Sequence, residues 1–397
     1  MKIDVFCEVE TAHTSAPGHE YRLIKETLAQ AEAADAAGFD CWWEVEHHGA
    51  VAMSYSSAPD IILSAIAQRT KRMRIGHSAV LAPHRFSHPV RIAERAATLD
   101  LVSDGRLEVG FARSTIPEWR LFEIDPESTR AQLEKTMRMV PKMWTQETFS
   151  WDDEEFHIKD ARIIPKPLQK PHPPMWQAAS SPESFVMAGR NGVGALGTTL
   201  LTPVDVIAAL LGSYRDALKD AEPAGAFVNN QAGVFTFVHC AETTKQAIEN
   251  GAAEAAAWYA NTIVKFFELE QALLRRSDDP LSAITDRAGA GLVGDIQAPT
   301  NVGAPPPSAE HAAAMALIAR LAHGEQISGE EVFEVLNKQD SVIIGDPETC
   351  KRKMERYRDA GVDRLLCFQQ VGGLSHEVIL ESTRLVGKHL IPYFSPK

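Results

Sequence analysis

What this chain lacks narrows it first. No apolar run approaches the ~18 residues a membrane-spanning helix needs. No block of lysines or arginines stands against the formal net charge of −13, so phosphate backbones and anionic lipid surfaces are poor partners, and a neutral or apolar small molecule fits better. Cysteine is scarce. Cys7, Cys41, Cys240, Cys350 and Cys367 are odd in number and scattered mostly through apolar runs, which fits reduced, buried thiols and not a disulfide framework. No Cys or His pair has zinc-finger spacing, and His13, His77, His84 and His88 show neither i, i+4 pairing on a helix nor a companion carboxylate at a recognised spacing, so no metal is expected. The opening MKIDVFCEVE carries Asp4, Glu8 and Glu10 where a secretory leader would be basic and then apolar, and the expected location is the cytoplasm.

What is present is an ordinary globular composition, 45% hydrophobic and 23% charged over 397 residues, with short β-rich runs alternating with longer helical patterns. That alternation signals parallel strands joined by crossover helices. Eight strands are predicted: Ile3 to Cys7, Phe39 to Val45, Met73 to Leu81, Leu107 to Phe111, Met175 to Ala178, Val193 to Leu196, Val234 to Val238 and Arg364 to Phe368. The helix over Tyr21 to Ala37 repeats apolar residues at helical spacing and stops at Gly38; the helix over Pro89 to Leu101 stops at the turn Ser103-Asp104-Gly105. Eight such units favour an α/β fold closed as a (β/α)8 TIM barrel, one domain over 1–397. Residues 148–174 read as a hairpin and extended loop. The long gap between the seventh and eighth strands makes 255–340 an insertion of helices with a lid loop near Gly289 to Pro307.

In such a barrel the working residues sit at the C-terminal strand ends. The second strand ends in Glu46-His47-His48, preceded by Trp42 and Trp43; histidine exchanges protons near neutrality, although a strand-end histidine bonded to backbone is the commoner case. The third runs through Gly76-His77-Ser78-Ala79, small residues that either pack tightly against neighbouring strands or let a flat ring approach. The fourth leads to Arg113, with Trp119 and then Arg130 following. Two arginines at the mouth can grip a phosphate, or each can pair with an acidic neighbour. The fifth leads into Ala178-Ala179-Ser180-Ser181-Pro182, an anion site at a helix N-terminus or a plain serine cap. Gly192 to Gly197 matches the GxGxxG string of dinucleotide folds, but it follows a helix and enters a strand, the reverse of the order that the phosphate turn requires.

Taken in order, Glu46-His47-His48, the stretch SAVLAPHRFSHPVR over 78–91, SDGRL over 103–107 and VGFAR ending at Arg113 resemble the bacterial luciferase-like monooxygenases. The resemblance extends over nearly the whole barrel, including the run from Gly345-Asp346-Pro347 to Phe368. It implies that His47 is the active-site histidine at the reactive face of a flavin. Arg113 and Arg130, with Ala178, Ala179, Ser180 and Ser181, would bind the FMN phosphate. Glu46 would also lie at the cofactor. Ser78-Ala79 would form a non-prolyl cis peptide under the ring. Trp43, His48 and Trp119 are expected at the substrate pocket. Ala112 stands where luciferase has a reactive cysteine, so neither light emission nor a long-chain aldehyde substrate follows.

The activity implied is that of a two-component monooxygenase: reduced FMN from a separate NAD(P)H-dependent flavin reductase reacts with O2, and the C4a-peroxyflavin oxygenates a small hydrophobic substrate, in a homodimer or other homo-oligomer. Two alternatives stay open. One is hydride transfer with the deazaflavin F420 on the same fold; the other is a flavin-binding protein without turnover.

Overall fold

The computed structural model describes residues 1–51, 53–199, 202–266 and 308–395. Eight parallel strands close a barrel in the order β1 (Lys2–Cys7), β2 (Cys41–Glu44), β3 (Arg74–Leu81), β4 (Leu107–Ala112), β7 (Met175–Ala178), β8 (Gly194–Thr198), β9 (Ala232–Cys240) and β11 (Arg364–Phe368), with β11 pairing back onto β1. These are the eight strands expected from the alternation. Between β4 and β7, the predicted hairpin is β5 (Phe149–Asp152) with β6 (His157–Ala161), antiparallel. A further strand, β10 (Val342–Gly345), was not foreseen. It pairs with the upper half of β9, Val342 opposite Phe237 and Gly345 opposite Cys240, above the stretch where β9 pairs with β8. The lid expected near Gly289 to Pro307 lies outside the described residues.

Each barrel strand is buried on both faces, as a parallel sheet requires. On β1, Ile3, Val5 and Cys7 pack outward among the helices, while Asp4 and Phe6 face the barrel interior. The crossover helices start and stop where the chain dictates. Gly38 ends His19–Ala37 at φ 99°, and Asp104 and Gly105 turn the chain at φ 56° and 76° after Pro89–Val102. No helix among the described residues is long and apolar enough to cross a membrane. All five cysteines are free thiols and buried.

The middle of the barrel is plugged by two indoles, Trp43 from β2 and Trp176 from β7, edge to face at 5.3 Å. Each ring nitrogen donates to a buried carboxylate, Trp43 to Asp4 at 2.9 Å and Trp176 to Glu108 at 2.7 Å. Arg364 and Arg74 in turn grip those carboxylates, at 2.7 and 2.5 Å. Neighbouring strands carry glycine where the rings lie flat. A Cβ on Gly76 would meet Trp43 Cε3 at 2.3 Å, and one on Gly194 would meet Trp176 Cε3 at 2.3 Å. Gly194 is the second glycine of the GxGxxG string, which therefore serves packing. Trp43 thus forms the floor beneath the mouth, not the substrate pocket assigned to it from sequence.

Forcing a methyl group against a fixed ring costs about 1–3 kcal/mol. Gly76→Ala is expected to lower the unfolding free energy by about that amount, and to cost less in a Trp43→Phe background, as measured by urea denaturation of the double-mutant cycle. Equal cost in both backgrounds would remove the indole from the explanation.

Candidate active site

Two adjoining cavities open above this floor. One is lined by Arg113, Ser114, Arg130, Ala179, Ser180 and Ser184; the other by Glu46, His47, Ser78, Ala79, Glu8 and Tyr259. They share the lining of Ala112, Ala178, Leu196, Gly197 and Phe235, and span about 670 and 720 Å³ of space that includes open solvent. The small residues Ala112 and Ala178 at the ends of β4 and β7 lie between the two cavities, whereas a Cβ on Gly197 would meet Phe185 Cζ at 2.8 Å, so that glycine makes room for the ring. The Ser78–Ala79 bond is cis, and the β3–β4 register shifts between His77 and Val80 at that point.

His47 is half-buried at the end of β2, and its Nδ1 donates to Glu118 Oε1 at 3.2 Å. Glu118 has no exposed side-chain surface and is saturated with donors. The His48 amide reaches Oε1 at 2.8 Å, and the hydroxyls of Ser114 and Thr115 each reach Oε2 at 2.6 Å. Burial alone would raise this carboxyl, but the His47 charge and the four hydrogen bonds hold it down at about 2. Burial likewise works against an imidazolium, yet Glu118, with Glu8 and Glu46 behind it, outweighs burial and raises the His47 pKa. With Nδ1 committed to Glu118, Nε2 is the ring nitrogen left for exchange.

Arg113 lies over the Trp119 ring, its guanidinium 5.7 Å from the centroid, and Trp119 Nε1 donates to the Arg113 carbonyl at 2.7 Å. Trp119 is buried behind the arginine and lines neither cavity. His48 is also turned away: its Nε2 bonds Glu46 at 3.3 Å, and its ring sits against Phe86 and Phe122. Both had been expected in the substrate pocket; their contacts make them supports for Arg113 and Glu46. Glu46 spends its other oxygen on the Leu81 amide at 3.2 Å.

The serine stretch after β7 is organised differently from an open anion site. Ser181 caps Pro182–Arg190 in a reciprocal box with Ser184, and the amides of Ser180, Ser181 and Ser184 are all spent on the Ser181 and Ser184 hydroxyls. Ser181 is buried within this cap and does not line the cavity, whereas Ser184, not anticipated, does. The cationic side chains here are Arg113 and Arg130. Glu118 also escaped the sequence reading. It comes from the six-residue helix Ile116–Leu121, 71 positions from its partner, and no local spacing announces it.

The sequence pattern of the luciferase-like monooxygenase family matches residues 1–364, and the chain belongs to that family. Among curated relatives, the oxygenase component of a flavin-dependent trigonelline monooxygenase from Acinetobacter baylyi is 30% identical over 222 residues, 55% of this chain and 59% of that protein. The chain thus matches well under two thirds of that relative's length. Among solved structures, the oxygenating constituent of 3,6-diketocamphane monooxygenase from Pseudomonas putida, in complex with FMN, superposes with a TM-score of 0.66 at 17% identity, covering 99% of this chain and 98% of the other. An F420-dependent secondary alcohol dehydrogenase superposes with a TM-score of 0.65 at 14% identity over 99% and 98%. At these identities the likeness is one of fold.

The sign of each shift fixes a pH window for the His47–Glu118 pair. Glu118, depressed to about 2, contributes stability that is complete above the unfolded carboxyl range and lost as pH falls toward its folded value. His47, raised, contributes stability that is complete below the unfolded imidazole range and lost as pH rises through its folded value. The stability difference between wild type and Glu118→Gln is therefore expected to peak at about pH 5–6 and shrink on either side, read by urea unfolding across pH. A difference independent of pH would mean that the two groups do not titrate as a pair.

Proposed function

We propose that this chain is the oxygenase component of a two-component monooxygenase that uses reduced FMN and O2 to oxygenate a small, apolar-bodied organic substrate. The observation that carries this reading is the adjacency of two cavities, one holding Arg113 and Arg130 and the other His47, that share the lining of Ala112, Ala178, Leu196, Gly197 and Phe235. It suits a flat ring system with a phosphate tail: cations at one end, Ser78 and Ala79 beside an apolar slot, and a protonatable group at the other end. Arg113 and Arg130 would hold the phosphate with the Ser180 hydroxyl, and Ala178 and Ala179 would line the tail. Ser78 and Ala79 would lie against the ring, with Glu46 fixing the adjoining Leu81 backbone. When bound, reduced flavin supplies the activation of dioxygen.

The protein's own contribution is positional and protonic. Glu118 fixes the His47 ring and keeps it charged, so that Nε2 can deliver a proton at the cavity and take it back. The packed indoles below and the apolar walls of Phe6, Phe235 and Leu366 keep water from the reacting centre. The Acinetobacter relative is named an oxygenase component, which supports delivery of reduced flavin by a separate NAD(P)H-dependent reductase. F420 in place of FMN is the outcome to test against, since the fold is shared with F420-dependent enzymes. Quenching of intrinsic tryptophan fluorescence by reduced FMN but not by reduced F420 is expected, and the reverse would replace oxygenation with hydride transfer.

Arg113→Ala is expected to weaken FMN binding by roughly 10- to 100-fold, the scale of a charge-assisted contact. His47→Ala is expected to keep flavin affinity and lose about two or more orders of magnitude in reductase-coupled turnover. Unchanged flavin affinity in the first, or full turnover in the second, would dismantle the respective assignment.

A further inference from the structure

The cavity of His47 holds a carboxyl that flavin binding does not use. Glu8 leaves the end of β1 only 3% exposed and lines this cavity. Its Oε1 accepts from the Tyr259 hydroxyl at 2.7 Å, while Oε2 is buried with no hydrogen-bond partner among the described residues. Two residues on, Glu10 repeats the pattern: Oε1 takes the Gly372 amide at 2.6 Å and Oε2 is bare. A buried carboxyl oxygen without a donor is costly, and folds leave one so where a ligand completes it. Burial pushes Glu8 up to about 7 despite the opposing His47 charge and Tyr259 bond, and burial together with the Glu8 charge pushes Glu10 well above the usual carboxyl range.

The sign of the missing partner follows from the surroundings. Tyr259 donates to Glu8, and His47 stands nearby as a cation; both oppose the burial that raises Glu8, and a cation ending on the bare Oε2 would complete the carboxylate form. Among the described residues lining this cavity, His47 is the sole cationic side chain, and it is already paired with Glu118. Its carboxyl side chains are Glu8 and Glu46, and Glu10 lies behind. Apart from Ser78 and Tyr259 the remaining wall is apolar, with Phe6, Met53, Phe235 and Ile263.

We propose that Glu8 is the substrate-recognising group of this site, and that the substrate is a small organic ammonium whose N–H ends on Glu8 Oε2 while its apolar body lies against Phe6, Phe235 and Ile263. The term substrate rests on the flavin reading above; the cation site does not. The full-length protein is titrated calorimetrically with benzylamine, benzyl alcohol and benzoate, with and without FMN. Benzylammonium is expected to bind wild type at least about 10-fold more tightly than the alcohol, the scale of one hydrogen bond to a charged group, and benzoate most weakly. In Glu8→Gln the ammonium preference is expected to fall to within about twofold while FMN affinity is kept. Equal wild-type affinity for amine and alcohol overturns the proposal without any variant, as does an ammonium preference that survives Glu8→Gln. Ammonium preference without FMN binding would sink the flavin reading and leave the cation site standing; FMN binding without ammonium preference would do the opposite.

Discussion

The packed pair of tryptophans across the barrel axis is the constraint on which the rest of this structure hangs. A closed eight-stranded parallel barrel has an interior that side chains must fill. Here two indoles do so from facing strands, each tied by its N–H to a carboxylate that an arginine neutralises. The polar groups deep in the barrel are thus paired, and the large rings cannot tilt without giving up a buried hydrogen bond. Glycines on β3 and β8 are the complement of those rings. Everything that touches a ligand is thereby lifted to the strand ends, where small residues leave space.

Above that floor the chemistry is divided between two poles. At one, Arg113 is steadied by Trp119; at the other, His47 is steadied by Glu118. In both, the group facing the cavity is held by a buried neighbour that does not face it. Preorganisation of this kind costs stability locally, since Glu118 must be desolvated, and four donors offset that cost. The arrangement keeps a charged imidazole beside an apolar slot, where water alone would let it lose its proton more readily.

The order of strands and the strand-end residues were legible because both depend on local pattern: apolar runs, glycine stops, and whatever follows a strand. Hence His47, Ser78 and Arg113 emerge from sequence at the mouth. Groups that act through space were not legible. Glu118 meets His47 only after the fold closes, and β10 is a four-residue buried run whose pairing with β9 no periodicity reveals. Trp43 and Trp119 read as pocket residues because aromatics near a strand end resemble a ligand wall; their ring nitrogens show instead that they are supports. Glu8 had a signal that was passed over: Asp4, Phe6 and Glu8 alternate with Ile3, Val5 and Cys7, which puts two acids on the inward face of a buried strand. The serines after β7 show the reverse error, since their amides are consumed by capping and the cations there are arginines.

The nine-residue β9 carries a last consequence. Its lower half joins β8 and its upper half joins β10, so one continuous strand belongs both to the barrel wall and to the segment that brings the chain back from the insertion. The returning chain is further fixed by Lys353, whose ammonium gathers the carbonyls of Asn337, Gln339 and Val342 just before and within β10. A disturbance of β10 is therefore felt by the barrel wall directly, because the strand that receives the returning segment is itself one of its staves.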